Sequence, residues 1–251
     1  SIGVQYINNF IHPHELSRAL RAPLELVLCQ NCTLLQLKDT APQELLYAGY
    51  YWYRSGVTDT MKAGLRDITR KVEELFSLTP GDIVLDIGSN DGTLLRSYAA
   101  PGLVRVGVEP AQNLAEQGKV GIDHFLGTFW EYDLYQRSVG QQAKIITAIG
   151  MFYDMEDPNQ FIADTARALR KDGVFIAQLM CLLPMLEKND VGNLCHEHLE
   201  FYSLTSLEYL YQKHGLEIFD LEQNEINGGS YRIYARHRGR KVEGLPGGQE
   251  R

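Results

Sequence analysis

The spacing of apolar and polar positions changes several times along the chain, and those changes mark out its elements. Short β-rich apolar runs at 83–87, 104–108, 145–149 and 174–179 are separated by segments of helical or loop character. Strands that alternate with helices in this way build a parallel sheet covered on both faces, so the fold class is α/β. Ahead of the first run, Leu65, Ile68, Val72 and Leu75 recur at three- and four-residue steps. They predict a helix, capped by Asp59 or Thr60, that lays one apolar stripe on the sheet. Asp157-Pro158 joins a cap to proline at the first helical position, opening a helix through Phe161, Ile162, Ala166 and Leu169 that Gly173 stops. Thr205-Ser206-Leu207-Glu208 reads as a capping box for a helix ending near His214 and Gly215. The last strands, 216–222 and 231–236, are joined through Asn227-Gly228-Gly229, a connection short enough for an antiparallel return.

Residues 1–57 lack such periodicity: Pro13, Pro23 and Pro42 break any long helix, and an aromatic cluster follows at Tyr47, Tyr50, Tyr51, Trp52 and Tyr53. Three parts are expected: an N-terminal module over 1–57, the main domain over 58–236, and an Arg- and Gly-rich stretch over 237–251. That last stretch reads as a flexible tail or the start of a further domain. A net charge of −8 without a Lys/Arg run argues against nucleic acid as a partner. No apolar run approaches the roughly 20 residues that span a bilayer, and the N-terminus lacks the plan of a signal peptide, so a cytoplasmic location is expected.

Candidate chemistry is concentrated in three places. At Val84-Leu85-Asp86-Ile87-Gly88-Ser89-Asn90-Asp91-Gly92-Thr93-Leu94-Leu95 an apolar strand runs into a glycine-bearing turn and a helix. Gly88 and Gly92 permit positive φ and close approach to a ligand, and Asp86 can accept hydrogen bonds. The D-x-G-x-x-x-G spacing is not the dinucleotide fingerprint, and no Lys follows the second glycine to cradle a triphosphate. A second strand delivers Glu109 twenty-three residues after Asp86, where βαβ units place the acid that grips a ribose diol. Together these features resemble the S-adenosylmethionine site of class I methyltransferases.

Cys29-Gln30-Asn31-Cys32, flanked by Leu26, Val27, Leu28 and Leu34, Leu35, Leu37, reads as a small β knuckle. Cys29 and Cys32 are zinc ligands of a site whose other pair is supplied upstream, or else a redox or buried pair. His12 and His14 are either substitute ligands or a surface pair. The third place is Cys195-His196-Glu197-His198-Leu199-Glu200-Phe201-Tyr202, beyond the carboxyl ends of the strands, where open α/β sheets bind ligands. Its spacing is not H-E-x-x-H. An extended segment points His196 and His198 the same way and Glu197 the other, whereas a turn could bring all three together. A histidine beside a glutamate offers a general base near neutral pH; the alternative is a pair of loop histidines with structural hydrogen bonds.

Taken in order, these stretches resemble the sugar C-methyltransferase family, which methylates nucleotide-linked deoxyketosugars. Met151-Phe152-Tyr153-Asp154-Met155-Glu156-Asp157-Pro158, Tyr53-Arg54-Ser55-Gly56-Val57 and Asn227-Gly228-Gly229-Ser230 add to the resemblance. It implies a class I methyltransferase core, Rossmann-like, with a seven-stranded sheet whose last strand is antiparallel. It also implies an N-terminal zinc-binding module and a C-terminal α/β domain of which this chain holds at most the start. The implied cofactor is S-adenosyl-L-methionine, held by Asp86, Gly88, Ser89, Asn90, Gly92, Thr93, Glu109, Pro110, Thr128 and Met151, with the adenine near Gly127, Thr128 and Phe129. By matching position His198 is the base that removes the proton α to a sugar ketone. Glu197 orients or polarises it, His196 lines the pocket, and Tyr53 reaches the sugar or the enolate oxygen. Two positions depart from the family pattern: Cys195 stands where a tyrosine is common, and Asp154 where a histidine is. The alternative activity is O- or N-methylation of a small metabolite, and a different class is a cofactor-binding fragment without activity.

Overall fold

A computed structural model describes residues 1–7, 12–48 and 50–242. Its N-terminal part carries β1 (Val4–Tyr6), β2 (Arg21–Pro23), β3 (Leu26–Leu28) and β4 (Leu35–Leu37), followed by α1 (Asp59–Leu75). Then come β5 (Ile83–Ile87), α2 (Thr93–Arg96), β6 (Val104–Val108), α3 (Ala115–Gly118), β7 (His124–Leu126), α4 (Tyr132–Val139) and β8 (Ala143–Ile149). The chain continues through α5 (Pro158–Ala168), β9 (Leu169–Met180), α6 (Leu182–Lys188), β10 (Glu200–Phe201), α7 (Leu204–Lys213), β11 (Leu216–Asn224) and β12 (Ser230–His237). The main sheet has seven strands in the order β11-β12-β9-β8-β5-β6-β7. β7, β6, β5, β8 and β9 pair in parallel, and β12 and β11 close the sheet antiparallel, as the resemblance implies.

Every residue of β5 is buried, because helices cover both faces of the sheet. On one face α1 sets Leu65, Ile68 and Val72 against Val84, Ile145 and Ile176. On the other, Phe161 and Ile162 of α5 and Leu207, Leu210 and Tyr211 of α7 pack on Ile146, Ala148 and Phe175. Parallel strands point their carboxyl ends the same way, so the turns after β5, β6 and β8 gather at one edge. No helix among the described residues is long and apolar enough to cross a membrane.

Several boundaries differ from the sequence expectation. Thr58, not Asp59 or Thr60, caps α1, its Oγ1 accepting from the Met61 N–H at 3.3 Å. Asp157 caps α5 as expected, accepting from Gln160 N–H at 2.9 Å. Gly173, however, does not stop that helix: α5 ends at Ala168, and Gly173 lies inside β9. A Cβ there would meet the Lys144 carbonyl oxygen at 2.8 Å, so the register irregularity opposite Ala143–Ile145 requires glycine. The cap of α7 also moves. The chain leaves β10 at Phe201 and the helix starts at Leu204, so Ser203 and Ser206 form the reciprocal box, and Thr205 and Glu208 lie within the helix.

Residues 1–57 are more regular than expected. β1 pairs with β2, and β3 and β4 form a hairpin that β10 extends, with Glu200 opposite Gln36 and Phe201 opposite Leu35. Leu24 and Leu37 share a small core with Met185, Leu199 and Phe201, so the module is sewn to the main domain on both sides of the expected boundary. At the other end, His237 completes β12 and Val242 packs into the core beside α1, which corrects the tail expectation as far as 242. Residues 243–251 lie outside the described residues.

The cap assignment is testable. Ser203→Ala removes the side-chain acceptor of an orphan helix N–H and is expected to cost about 1 kcal/mol. Thr205→Ala is expected to cost less than about 0.5 kcal/mol as an ordinary solvent-facing change. Urea unfolding of the two variants measures the difference.

Candidate active site

The turn after β5 folds back over the end of β6. Gly88 takes φ +72°, and the N–H groups of Gly88 and Ser89 donate to the Val108 carbonyl at 2.9 and 3.0 Å. Glu109 follows β6 directly. Its Oε2 accepts from the Asn90 N–H at 2.9 Å and its Oε1 from the Ala111 N–H at 2.8 Å. Burial raises its pKa while those two N–H groups oppose the shift. Between this turn and the end of β8 lies a cavity of about 310 Å³, whose wall includes Gly88, Asn90, Glu109, Pro110, Thr128 and Met151. A Cβ on Gly88 would lie 2.8 Å from Met151 Cγ, so bare backbone is needed there.

Four of the expected cofactor residues stand behind this wall. Asp86 is buried and accepts from Thr147 Oγ1 at 2.6 Å. Burial lifts its pKa to about 7, with the Thr147 hydrogen bond opposing and Glu109 adding to the rise. Ser89 turns toward Gly107, and Thr93 Oγ1 donates to Asp91 Oδ1 at 2.6 Å. Gly92 takes φ +77° as it enters α2, packed under Arg96 and the Gly118 carbonyl. These residues shape the turn and do not line the cavity. Near the expected adenine position Thr128 and Phe129 are on the wall and Gly127 is not.

Sequence reasoning missed a strap over the cavity. Ser55 N–H donates to Asn90 Oδ1 at 2.9 Å, Gly56 N–H to Asp91 Oδ2 at 2.8 Å, and Asn90 Nδ2 to the Tyr53 carbonyl at 3.1 Å. Asn113 exchanges two more hydrogen bonds with the backbone of Tyr51, at 2.9 and 3.0 Å. Consecutive Asn and Asp in a cofactor turn are the only sequence hint of such a partner. The strap sets Tyr51 and Tyr53 in the wall of the first cavity and of a second that adjoins it.

Tyr50, Trp52, Tyr153, Glu197 and His198 complete the second cavity's wall, and Asp154 is common to both. His198 also lines a third space with Asn227 and Ser230. Its Nδ1 lies 2.8 Å from the Asn193 carbonyl oxygen. A carbonyl only accepts, so Nδ1 carries the hydrogen and Nε2 keeps its lone pair. Burial lowers the His198 pKa, against smaller opposite effects of the Asn193 carbonyl and Glu197, so the ring is neutral at neutral pH. The Tyr153 ring meets it edge-on at 4.8 Å. His196 corrects the sequence expectation. The chain turns at 195–198, with the His198 N–H reaching the Cys195 carbonyl, and this buries His196 away from the cavities, 3.1 Å from the Ala22 carbonyl.

The knuckle carries Cys29 and Cys32 at the tip of the β3–β4 hairpin, with the Cys32 and Asn31 N–H groups lowering the Cys29 pKa. Among the described residues no third His, Cys, Asp or Glu joins them. His12 and His14 stack on one another, ring centroids 5.4 Å apart. Two thiols do not make a tetrahedral zinc site, so the donor set among the described residues does not fit the metal.

Residues 60–221 match the methyltransferase domain family. The chain belongs to that family. The C-methyltransferase NovU of Streptomyces niveus is 28% identical over 220 residues, 85% of this chain and 51% of that protein, so the chain spans about half that relative's length. An S-adenosylmethionine-dependent methyltransferase from Clostridium acetobutylicum has the same fold, with a TM-score of 0.53 at 14% identity over 73% of this chain and 94% of that one. Magnesium protoporphyrin IX methyltransferase from Synechocystis, solved with bound SAH, gives 0.53 at 12% identity over 73% and 89%. The cavity of this methyltransferase domain fits S-adenosylmethionine: unobstructed backbone at Gly88, a fixed carboxylate at Glu109 and an apolar side chain at Met151 surround it.

The Asp86 site predicts a pH dependence of stability. The unfolded carboxyl titrates near 3.9 and the folded one near 7, so the folded state holds the extra proton and stability falls as pH rises between them. Relative to Asp86→Asn, which carries no charge, the wild type is expected to lose stability from about pH 4 to about pH 7 in urea unfolding. A flat difference would mean that Asp86 is ionised throughout.

Proposed function

We propose that the protein is an S-adenosylmethionine-dependent C-methyltransferase acting on the carbon next to a ketone in a nucleotide-linked keto-deoxysugar. One observation carries the reading: His198 presents an unprotonated Nε2 in an aromatic compartment that shares a wall with the cofactor cavity. Carbon becomes a nucleophile only after it loses a proton, so this chemistry needs a neutral base beside the methyl donor, and O-methylation needs less. Similarity to a named C-methyltransferase supports the same reading.

Gly88, Asn90, Glu109, Pro110, Thr128 and Met151 would hold the cofactor, which when bound supplies a methyl group on a positively charged sulfur. Glu109, its oxygens already fixed by two backbone N–H groups, keeps lone pairs for a ribose diol. Tyr51 and Tyr53 on the strap exclude water and give the sugar a flat apolar surface, with Tyr53 reaching the ring or its ketone oxygen. His198 Nε2 takes the α-proton. Glu197 beside it favours the resulting imidazolium. Among the described residues no Lys or Arg lines the three cavities, so the reading assigns them the sugar ring and not the diphosphate.

The test is solvent exchange followed by transfer. The protein with a nucleotide-linked keto-deoxysugar and no cofactor is expected to incorporate deuterium at the α-carbon. O- or N-methylation would give transfer without exchange. His198→Asn is expected to lose about 10²–10⁴ in turnover with S-adenosylmethionine affinity nearly unchanged by calorimetry. If His196→Asn were the inactive variant instead, the assignment of the base would be wrong. Gly88→Val is expected to abolish cofactor binding in a folded protein, since its Cβ meets Met151 and strains a positive-φ residue.

A further inference from the structure

Asp154 is the acidic side chain shared by the walls of the cofactor cavity and the histidine compartment. It ends the short helical turn Phe152–Asp154 that follows β8, and its residue is only 7% exposed. Its backbone carbonyl accepts from Gln43 Nε2 at 2.5 Å, but its side-chain Oδ1 is buried without a hydrogen-bond partner. An ionised carboxylate left that way would be costly, and among the described residues no Lys or Arg lines either cavity. Tyr47, whose hydroxyl lies beside Asp154, already donates its single hydrogen to the Glu197 carbonyl at 2.9 Å. The other titratable groups near Asp154 are the carboxyls of Glu197 and Glu200 and the phenols of Tyr51 and Tyr153, with neutral His198 on the same compartment and the Cys195 thiol near Tyr47 and Tyr153. Burial first, and then Glu197, push the Asp154 carboxyl well above the usual carboxylate range, against a smaller lowering by the Tyr47 hydroxyl.

We propose that Asp154 is a catalytic residue that works as a neutral carboxylic acid, donating a hydrogen bond to the ketone oxygen of the substrate and holding the negative charge that develops there. This rests on the C-methylation reading. In the enolisation step the α C–H bond breaks and its proton passes to His198 Nε2. The electron pair left behind forms the C=C bond, and the carbonyl π pair moves onto oxygen. Asp154 keeps its proton and shares it with that oxygen throughout. A buried donor aimed at an oxygen that gains charge only in the transition state stabilises it selectively, and a carboxyl held neutral at pH 7 supplies such a donor without a metal or a cationic side chain.

The step is read without cofactor, as deuterium uptake at the α-carbon of a nucleotide-linked keto-deoxysugar, followed by NMR. Asp154→Ala is expected to slow exchange by about 10²–10³. Asp154→Asn retains an N–H donor and is expected to stay within about tenfold of wild type. The wild-type rate should fall on the alkaline side as Asp154 loses its proton, and this limb should vanish in Asp154→Asn, an outcome that a merely structural role would not produce. An unchanged far-UV circular-dichroism spectrum in both variants reports an intact fold, and the near-isosteric Asp154→Asn keeps the test decisive if the alanine variant misfolds. Wild-type exchange in Asp154→Ala, an Asn variant as slow as the alanine one, or an alkaline limb that persists in Asp154→Asn would overturn the assignment. Absence of exchange in the wild type would instead overturn the C-methylation reading on which it rests.

Discussion

Asn90 holds the site together. Its backbone N–H fixes one oxygen of Glu109, its side-chain oxygen receives Ser55, and its side-chain nitrogen reaches the Tyr53 carbonyl. One residue thus ties the turn after β5, the acid after β6 and the strap from the N-terminal module. The backbone there takes φ +51°, in the left-handed region that asparagine tolerates better than most residues. A site assembled from three separate stretches of chain needs such a junction, because each stretch alone is a short loop with few contacts of its own.

Electrostatics give the two neighbouring cavities different characters. Around the turn, Glu109 is buried but satisfied by two backbone donors, which limits the penalty on its charged form. Around His198, acids and phenols face one another with no lining cation among the described residues, and burial disfavours charge on Tyr153, Asp154 and His198. A neutral imidazole and a neutral carboxylic acid in one compartment would form a base and a hydrogen-bond donor that coexist at the same pH. In water near neutrality the carboxyl would already have lost its proton, leaving no donor beside the base.

The N-terminal module matters through its connections. Strand β10, only two residues long, pairs with β4 two residues after His198, so the hairpin that carries Cys29 and Cys32 also anchors the segment bearing that histidine. Leu199 donates its N–H to Tyr153 and accepts from Leu37, which links that segment to the turn after β8. The distance from the knuckle to the chemistry is therefore bridged by ladder hydrogen bonds and a small apolar core, not by a flexible linker.

Much of the fold was legible in local sequence. Buried parallel strands are continuous apolar runs, amphipathic helices repeat at three and four residues, and Asp157-Pro158 is a local start signal, so 83–87, α1 and the opening of α5 could be read directly. Gly88 and Glu109 were legible for the same reason, each lying at a fixed offset from a strand end. What failed was what depends on a partner distant in sequence. Gly173 looks like a helix stop until Lys144 lies across it, Asp86 looks like a ligand-binding acid until Thr147 closes over it, and His196 alternates with His198 until a turn points it at Ala22. The strap on Asn90 and the orphaned oxygen of Asp154 belong to the same class. Periodicity and turn chemistry are properties of neighbours along the chain, whereas burial, and the protonation state that follows from it, is decided only when the remote segments pack.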